Sequence, residues 1–309
     1  MKKSKISVVI PVFNASETID KLINNIFLET RSFSSSCEII LVDDYSTDNS
    51  WQKIKLLSKN NKNIFGIKMA KNYGVDKVIT AGLKKSTGDY IYIISCDLQD
   101  PIDKMNIMLK KIIDNKNIDI ICSFFTNKHP ESKINRFFST LYWKFFSFFI
   151  AAHYPEEEGL YRLLSRKAVN FYLKHTSNFK HVKILHNTGL GKDYVKMKQL
   201  YRKTGQSGYN LTKKVKFAVD YITTYSYLPL IYSAIISFSV SLFGFFISLI
   251  FVLLKLLDIV LIPGWTSIIV IISFFFSILF FNLSILAIYL SKSIEESKRP
   301  NPYFISEES

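Results

Sequence analysis

Two long apolar stretches, Leu228 to Leu254 and Ile259 to Leu290, limit the possible folds of this chain more than any other feature. Each exceeds the ~20 residues that a helix needs to cross a bilayer. Between them Lys255, Asp258, Pro263, Gly264 and Trp265 make a short polar turn with an interfacial aromatic. Lys213, Lys214 and Lys216 precede the first stretch, and Lys292, Lys298 and Arg299 follow the second. Basic residues stay on the cytosolic side. The expectation is a transmembrane hairpin over 228–290, with spans at about 228–254 and 264–290, followed by a cytosolic tail at 291–309. Both termini are then cytosolic, in a multi-pass protein of the cytoplasmic (inner) membrane.

The rest of the composition is read against that anchor. A formal charge of +15 would suggest nucleic acid in a soluble protein. Here it accompanies 48% hydrophobic residues and no zinc-ligand spacing or RNA-binding aromatic motif. It reads instead as attraction to anionic lipid headgroups or phosphorylated substrates, with no nucleic-acid partner. Cys37, Cys96 and Cys122 form no CxxC pair and suit buried apolar positions. The segment after Met1-Lys-Lys-Ser-Lys is interrupted by Pro11 and Asn14, so it reads as a strand rather than a signal peptide.

Strand and helix patterns alternate from there. Strands are expected at Ile6–Val12, Glu38–Val42, Ile64–Met69, Tyr90–Ser95 and Ile118–Phe124. Helices are expected at Ser16–Phe27, with Ser16 as N-cap, around Trp51, Ile54 and Leu57, at Val75–Leu83 and at Asp103–Ile113. Such alternation builds an α/β domain whose mostly parallel sheet binds ligands at the carboxyl ends of its strands. Two acidic clusters fall at those ends. Asp43-Asp-Tyr-Ser-Thr-Asp48 can accept hydrogen bonds from a nucleoside or form a helix-capping turn. Ser95-Cys-Asp97-Leu-Gln99-Asp100-Pro101 can hold a magnesium or manganese ion on a diphosphate, or form a polar loop that opens a helix. Beyond Thr126, residues 134–152 are aromatic with Arg136 and Lys144, which suggests an amphipathic helix in the headgroup region. Residues 205–226 form a juxtamembrane segment, so the cytosolic domain covers 1–226.

Both clusters, in this order, resemble the inverting family 2 glycosyltransferases of GT-A (Rossmann-like) fold, and within them the polyprenyl-phosphate branch. The matching pieces include Val8-Val-Ile-Pro-Val-Phe-Asn14, Leu41-Val-Asp-Asp-Tyr-Ser-Thr-Asp48, Lys71-Asn-Tyr-Gly74 and Asp97-Leu-Gln-Asp-Pro101. Further matches are Tyr161-Arg-Leu-Leu-Ser-Arg-Lys167, Arg202-Lys-Thr-Gly-Gln-Ser-Gly-Tyr209 and the two-span C-terminal pattern. The resemblance implies that Pro11, Phe13, Asp43, Asp44 and Ser95 meet the nucleotide. It implies that Asp97 and Gln99 hold Mg2+ or Mn2+, and that Arg202, Ser207 and Arg162 lie near the phosphates, with Asp97, Arg162 and Arg202 catalytic. Implied partners are a nucleotide-sugar donor, UDP-sugar first, a polyprenyl phosphate or lipid-linked acceptor, membrane lipids and a second copy of the chain in a homo-oligomer.

Four positions depart from the family pattern. Ser95 stands where an Asp is usual, Tyr45 where a Gly is, Gly208 where a Lys is and Leu160 where an Asp often is. The implied function is transfer of a sugar to a polyprenyl (undecaprenyl) phosphate at the cytosolic membrane face, for cell-surface glycans. The Leu160 and Gly208 departures keep open extension of a lipid-linked oligosaccharide, where a sugar hydroxyl would need a general base. Glu157 and Glu158 are candidates, although Glu156–Glu158 also reads as an exposed acidic turn. Ser95 alone supports a third reading, a non-catalytic subunit of a membrane complex.

Overall fold

A computed structural model describes residues 4–127, 157–175, 189–200, 228–257, 265–297 and 303–309. The expected amphipathic helix (134–152) and juxtamembrane segment (205–226) lie outside the described residues. The chain divides into two compact units. One comprises Met1–Asn135, Tyr154–Ser207 and Asn301–Ser309, the other Arg136–His153 and Gly208–Pro300.

The first unit is built on one sheet. Its strands are β1 (Ser4–Val12), β2 (Ser34–Asp43), β3 (Ile64–Met69), β4 (Tyr90–Ile93), β5 (Ile120–Phe125), β6 (Glu158–Ser165), β7 (Lys192–Met197) and β8 (Ile305–Glu308). Its helices are α1 (Ile19–Thr30), α2 (Ser50–Asn60), α3 (Val75–Lys85), α4 (Met105–Asp114) and α5 (Arg166–Lys174). The spatial order is β7-β5-β6-β4-β1-β2-β3-β8. β1 pairs in parallel with β2 and β4, as do β2 with β3 and β5 with β7. β6 runs antiparallel between β4 and β5, and β8 antiparallel along β3.

The central strands are covered on both faces, which is why they read as continuous apolar runs. Ile6, Val8, Ile10 and Val12 of β1 point to the face that packs Ile19, Leu22 and Ile26 of α1, Trp51 and Ile54 of α2, and Met105 and Met108 of α4. Val9, with Ile40 and Val42 of β2, points to the opposite face, where Val78 and Ile79 of α3 and Ala168 and Val169 of α5 lie. The period of two along each strand thus divides one sheet between two cores.

Several expectations are corrected. α1 begins at Ile19 with Thr18 as its N-cap, and no side chain caps it. Ser16 instead donates its N–H to Asp48 Oδ2 at 3.1 Å, and Thr18 Oγ1 donates to the Cys96 carbonyl at 2.6 Å. Three strands, β6, β7 and β8, were not expected. β8 lies in the segment read as a simple tail.

In the second unit, α6 (Leu228–Leu256) and α7 (Trp265–Ser297) pack against each other. Both expose large apolar side chains, among them Phe238, Phe243, Phe274 and Phe280. Taken over the described residues alone, no helix is long and apolar enough to cross a membrane, so the structure leaves the hairpin unestablished.

Candidate active site

The chain runs β1, β2, β3 outward along the sheet and then returns to β4 on the other side of β1. Loops leaving β1 and β4 diverge at that reversal, and the crevice between them is where such sheets bind ligands. The loop after β1 holds Phe13 and Asn14, that after β2 holds Asp44 to Asn49, and that after β4 holds Ser95 to Asp100.

Each of these loops carries one non-glycine residue with positive φ. They are Asn14 at 49°, Tyr45 at 63° and Leu98 at 61°. A left-handed conformation costs an L-residue about 1–2 kcal/mol, so the surroundings must enforce it. Cross-loop hydrogen bonds do so for the first two. Asn14 donates its N–H to Ser46 Oγ at 2.9 Å, and Asn14 Oδ1 accepts from the Thr47 N–H at 2.9 Å. Ala15 N–H reaches Ser50 Oγ at 2.9 Å. The positive φ of Tyr45 is a conformation that glycine, the residue the resemblance would place there, adopts without strain.

Asp43 ends β2, opposite Val12 of β1. Its side chain is fully buried, and Oδ2 accepts from the Ser46 N–H at 3.2 Å. Oδ1 is buried with no hydrogen-bond partner among the described residues. Burial raises the Asp43 pKa, against the hydrogen bonds from Ser46 and the charge of Lys68. A buried acceptor left unmatched costs free energy unless a ligand completes it. Its neighbour Asp44 is differently engaged. Its Oδ1 accepts from Tyr73 N–H at 2.7 Å and its Oδ2 from Gly74 N–H at 2.9 Å. Asp44, expected at the nucleoside, thus also staples the loop after β3. Pro11 is half-buried and Phe13 is 51% exposed beside Asp43 in the same pair of strand ends.

On the β4 side, Asp97 is partly exposed and its Oδ1 accepts from Gln99 N–H at 3.2 Å. Gln99 is tied to the exit of β7, its carbonyl accepting from Leu200 N–H at 2.9 Å. Ser95 presents its N–H to Asp100 Oδ2 at 2.7 Å. Asp100, which the sequence suggested only as a loop residue, is 4% exposed. Burial, with the nearby Asp97 charge, lifts its pKa to about 7.

Arg162, expected near the phosphates, is enclosed in the sheet. It sits in β6 opposite Ile93 and Cys122, 1% exposed. Its Nη2 pairs with Glu158 Oε1 at 3.3 Å and its Nε reaches the Leu160 carbonyl at 3.1 Å. A guanidinium enclosed this way neutralises a buried carboxylate; it is not an open phosphate receptor. Glu158 is likewise buried, unlike the exposed turn expected there, whereas Glu157 is half-buried and Glu156 lies outside the described residues. Arg202 and Ser207 lie outside the described residues.

Comparison with known proteins places the chain in a family. The chain is 27% identical to the prophage bactoprenol glucosyl transferase homolog of Escherichia coli, over 97% of this chain and 98% of that one. It is 24% identical to the undecaprenyl-phosphate 4-deoxy-4-formamido-L-arabinose transferase of Yersinia pestis, over 97% and 92%. Among solved structures, glucosyl-3-phosphoglycerate synthase from Mycobacterium tuberculosis is 14% identical, with a TM-score of 0.49 over 72% of this chain and 78% of that one. The model of glycosyl transferase family 2 matches residues 7–173, from β1 into α5. The chain belongs to glycosyl transferase family 2 and is a glycosyltransferase.

Proposed function

We propose that this enzyme transfers a sugar, with inversion, from a nucleotide-sugar to a polyprenyl phosphate at the cytosolic face of the inner membrane. The observation that carries the donor half is the unmatched, buried Oδ1 of Asp43 at the β1/β2 strand ends. A carboxylate oxygen there accepts only from a donor, and a nucleobase N–H or ribose hydroxyl supplies one. Phe13 and Pro11 beside it offer an apolar and aromatic surface for the base.

Across the crevice, Asp97 fits the needs of a small divalent ion bound together with a diphosphate. Such an ion keeps several water and phosphate oxygens and takes one or two carboxylates from the protein. Among the described residues no group of three or more acidic, Cys or His side chains could enclose an ion. Asp97 would hold it with the Gln99 side-chain oxygen, and Ser95 contributes less than the usual Asp. When bound, the ion would neutralise charge developing on the departing diphosphate.

Two observations support a phosphate acceptor. A lipid phosphate is ionised at neutral pH and needs no general base, and of the two glutamates a hydroxyl acceptor could use, Glu158 is buried against Arg162 while Glu157 is half-buried. The two named relatives act on bactoprenol and undecaprenyl phosphate by their own descriptions. Arg202 and Ser207 are the residues proposed for the acceptor phosphate. Membrane anchoring is supported by the sequence: Leu228 to Leu254 and Ile259 to Leu290 contain no Asp, Glu, Lys or Arg.

The test is a panel of radiolabelled UDP- and GDP-sugars incubated with the purified enzyme, Mg2+ and undecaprenyl phosphate. A labelled lipid whose sugar is released by mild acid is the expected product. Label found only on lipid-linked oligosaccharides would replace this reading with chain extension.

A further inference from the structure

β8 adds a strand to the open edge of β3, and its contacts run to the nucleotide loop. Ile67 stands opposite Glu308, Lys68 opposite Glu307 and Met69 opposite Ile305. Gly66 and Ser309 exchange both backbone hydrogen bonds, at 2.7 and 2.9 Å. A Cβ on Gly66 would collide with Ser309 and with Ile54, so the glycine admits the strand. Trp51 Nε1 donates to Glu307 Oε2 at 3.0 Å, and Lys85 pairs with Glu308 at 2.5 Å.

The residues just before β8 reach further. Phe304 O accepts from Ala70 N–H at 2.9 Å, and Phe304 N–H donates to the Tyr73 hydroxyl at 3.3 Å. Tyr303 packs in the same core cluster as Tyr73 and Val78. Tyr73 and the following Gly74 are the residues whose N–H groups hold the two oxygens of Asp44. Gly74 lies at φ 84°, a conformation that leaves little freedom to substitute or rebuild this loop. An unbroken path therefore links Phe304 through Tyr73 to Asp44, adjacent to Asp43 with its unmatched oxygen.

We infer that residues 303–309 are a positioning element of the donor site. By fixing Ala70 to Gly74 they hold Asp44, and through it the end of β2, in the geometry that receives the nucleotide. Stabilising β3 alone would need only the backbone ladder. The bond to the Tyr73 hydroxyl lies beyond that ladder and points at the site. This inference rests on the nucleotide reading of the Asp43 crevice.

The test uses the full chain in detergent, a variant lacking residues 303–309, and Tyr73→Phe, which removes only the hydroxyl. UDP and GDP are titrated separately with Mg2+ by calorimetry. Hydrogen exchange is followed at the Tyr73 and Gly74 amides. Deletion is expected to weaken binding of the preferred nucleotide about tenfold or more and to speed exchange at both amides. A synthetic peptide of residues 303–309 should restore both at saturation, and Tyr73→Phe should show a smaller loss of the same kind. A folded deletion variant with unchanged affinity and exchange overturns the inference, and so does a loss that the peptide does not restore. A full-length protein that binds neither nucleotide sinks the nucleotide reading, while the exchange data still decide whether the strand fixes the loop.

Discussion

Replacing Asp43 with asparagine separates the stability of the domain from its affinity for nucleotide. The variant keeps the shape of the side chain, and its amide oxygen can still accept from the Ser46 N–H that Asp43 Oδ2 accepts from at 3.2 Å. The other position changes from acceptor to donor. A nucleobase or ribose donor meeting it loses a charge-assisted hydrogen bond worth about 1.5–3 kcal/mol, a weakening of roughly 10- to 150-fold in Kd. Stability moves the other way. Burial raises the pKa of Asp43 in the folded chain. The folded state thus binds its proton more tightly than the unfolded state does, and stability falls as pH rises through the folded pKa. A neutral asparagine escapes that loss. At neutral pH the variant should unfold at the same temperature as the parent or higher, and the difference should shrink as pH falls toward the ordinary carboxylate range. Calorimetric titration with UDP and GDP measures the first effect, and thermal unfolding across pH measures the second. Nucleotide affinity equal to the parent's would refute the contact. A variant that loses stability at neutral pH would show that the buried amide costs more than the carboxylate it replaces.

The remaining predictions concern charges at and behind the site. Asp97→Asn, or excess chelator, should abolish transfer while leaving the unfolding temperature within a degree or two; full turnover in chelator would remove the ion from the reading. Glu158→Gln removes a carboxylate paired with buried Arg162 and should cost up to about 3–5 kcal/mol in stability, seen as a lowered denaturant midpoint; a change below about 1 kcal/mol would contradict the buried pair. Asp100→Asn should stabilise the protein at about pH 8, by on the order of a few kcal/mol, and not at about pH 4. The reason is that the carboxyl, with a pKa of about 7, loses its proton across that range at a cost to the fold. Equal effects at both pH values would show that Asp100 is not titrating there. Asp258→Cys should react with an impermeant maleimide added to intact cells, and labelling only after lysis would reverse the proposed topology.

The apolar runs of β1 to β5 could be read directly because strands buried on both faces need little else. The two acidic clusters were legible as strand-end loops for the same reason: a carboxylate run after such a strand must leave the core. The division of labour within them was not. Asp43 and Asp44 are identical in sequence terms, and only the arrival of Tyr73 and Gly74 from the loop after β3 distinguishes a staple from a buried oxygen left unmatched. β6 was hidden because Glu158 and Arg162 look like surface charges until they face each other on one side of a buried strand. β8, Ile-Ser-Glu-Glu, has no strand signal of its own. Its carboxylates suit the edge only because Lys55, Lys68 and Lys85 wait there.

β8 also sets an order of events during synthesis. Ser306 bonds to the Lys68 carbonyl across 238 residues of sequence. At about 5–20 residues per second, the edge of β3 waits roughly 12–50 s on the ribosome for its partner. Throughout that interval it presents Ile64-Phe-Gly-Ile-Lys-Met69 as an unpaired edge beside other nascent chains. Both long apolar segments leave the ribosome before the strand that lines this edge, so the sheet near the N-terminus is completed only after α6 and α7 have been made.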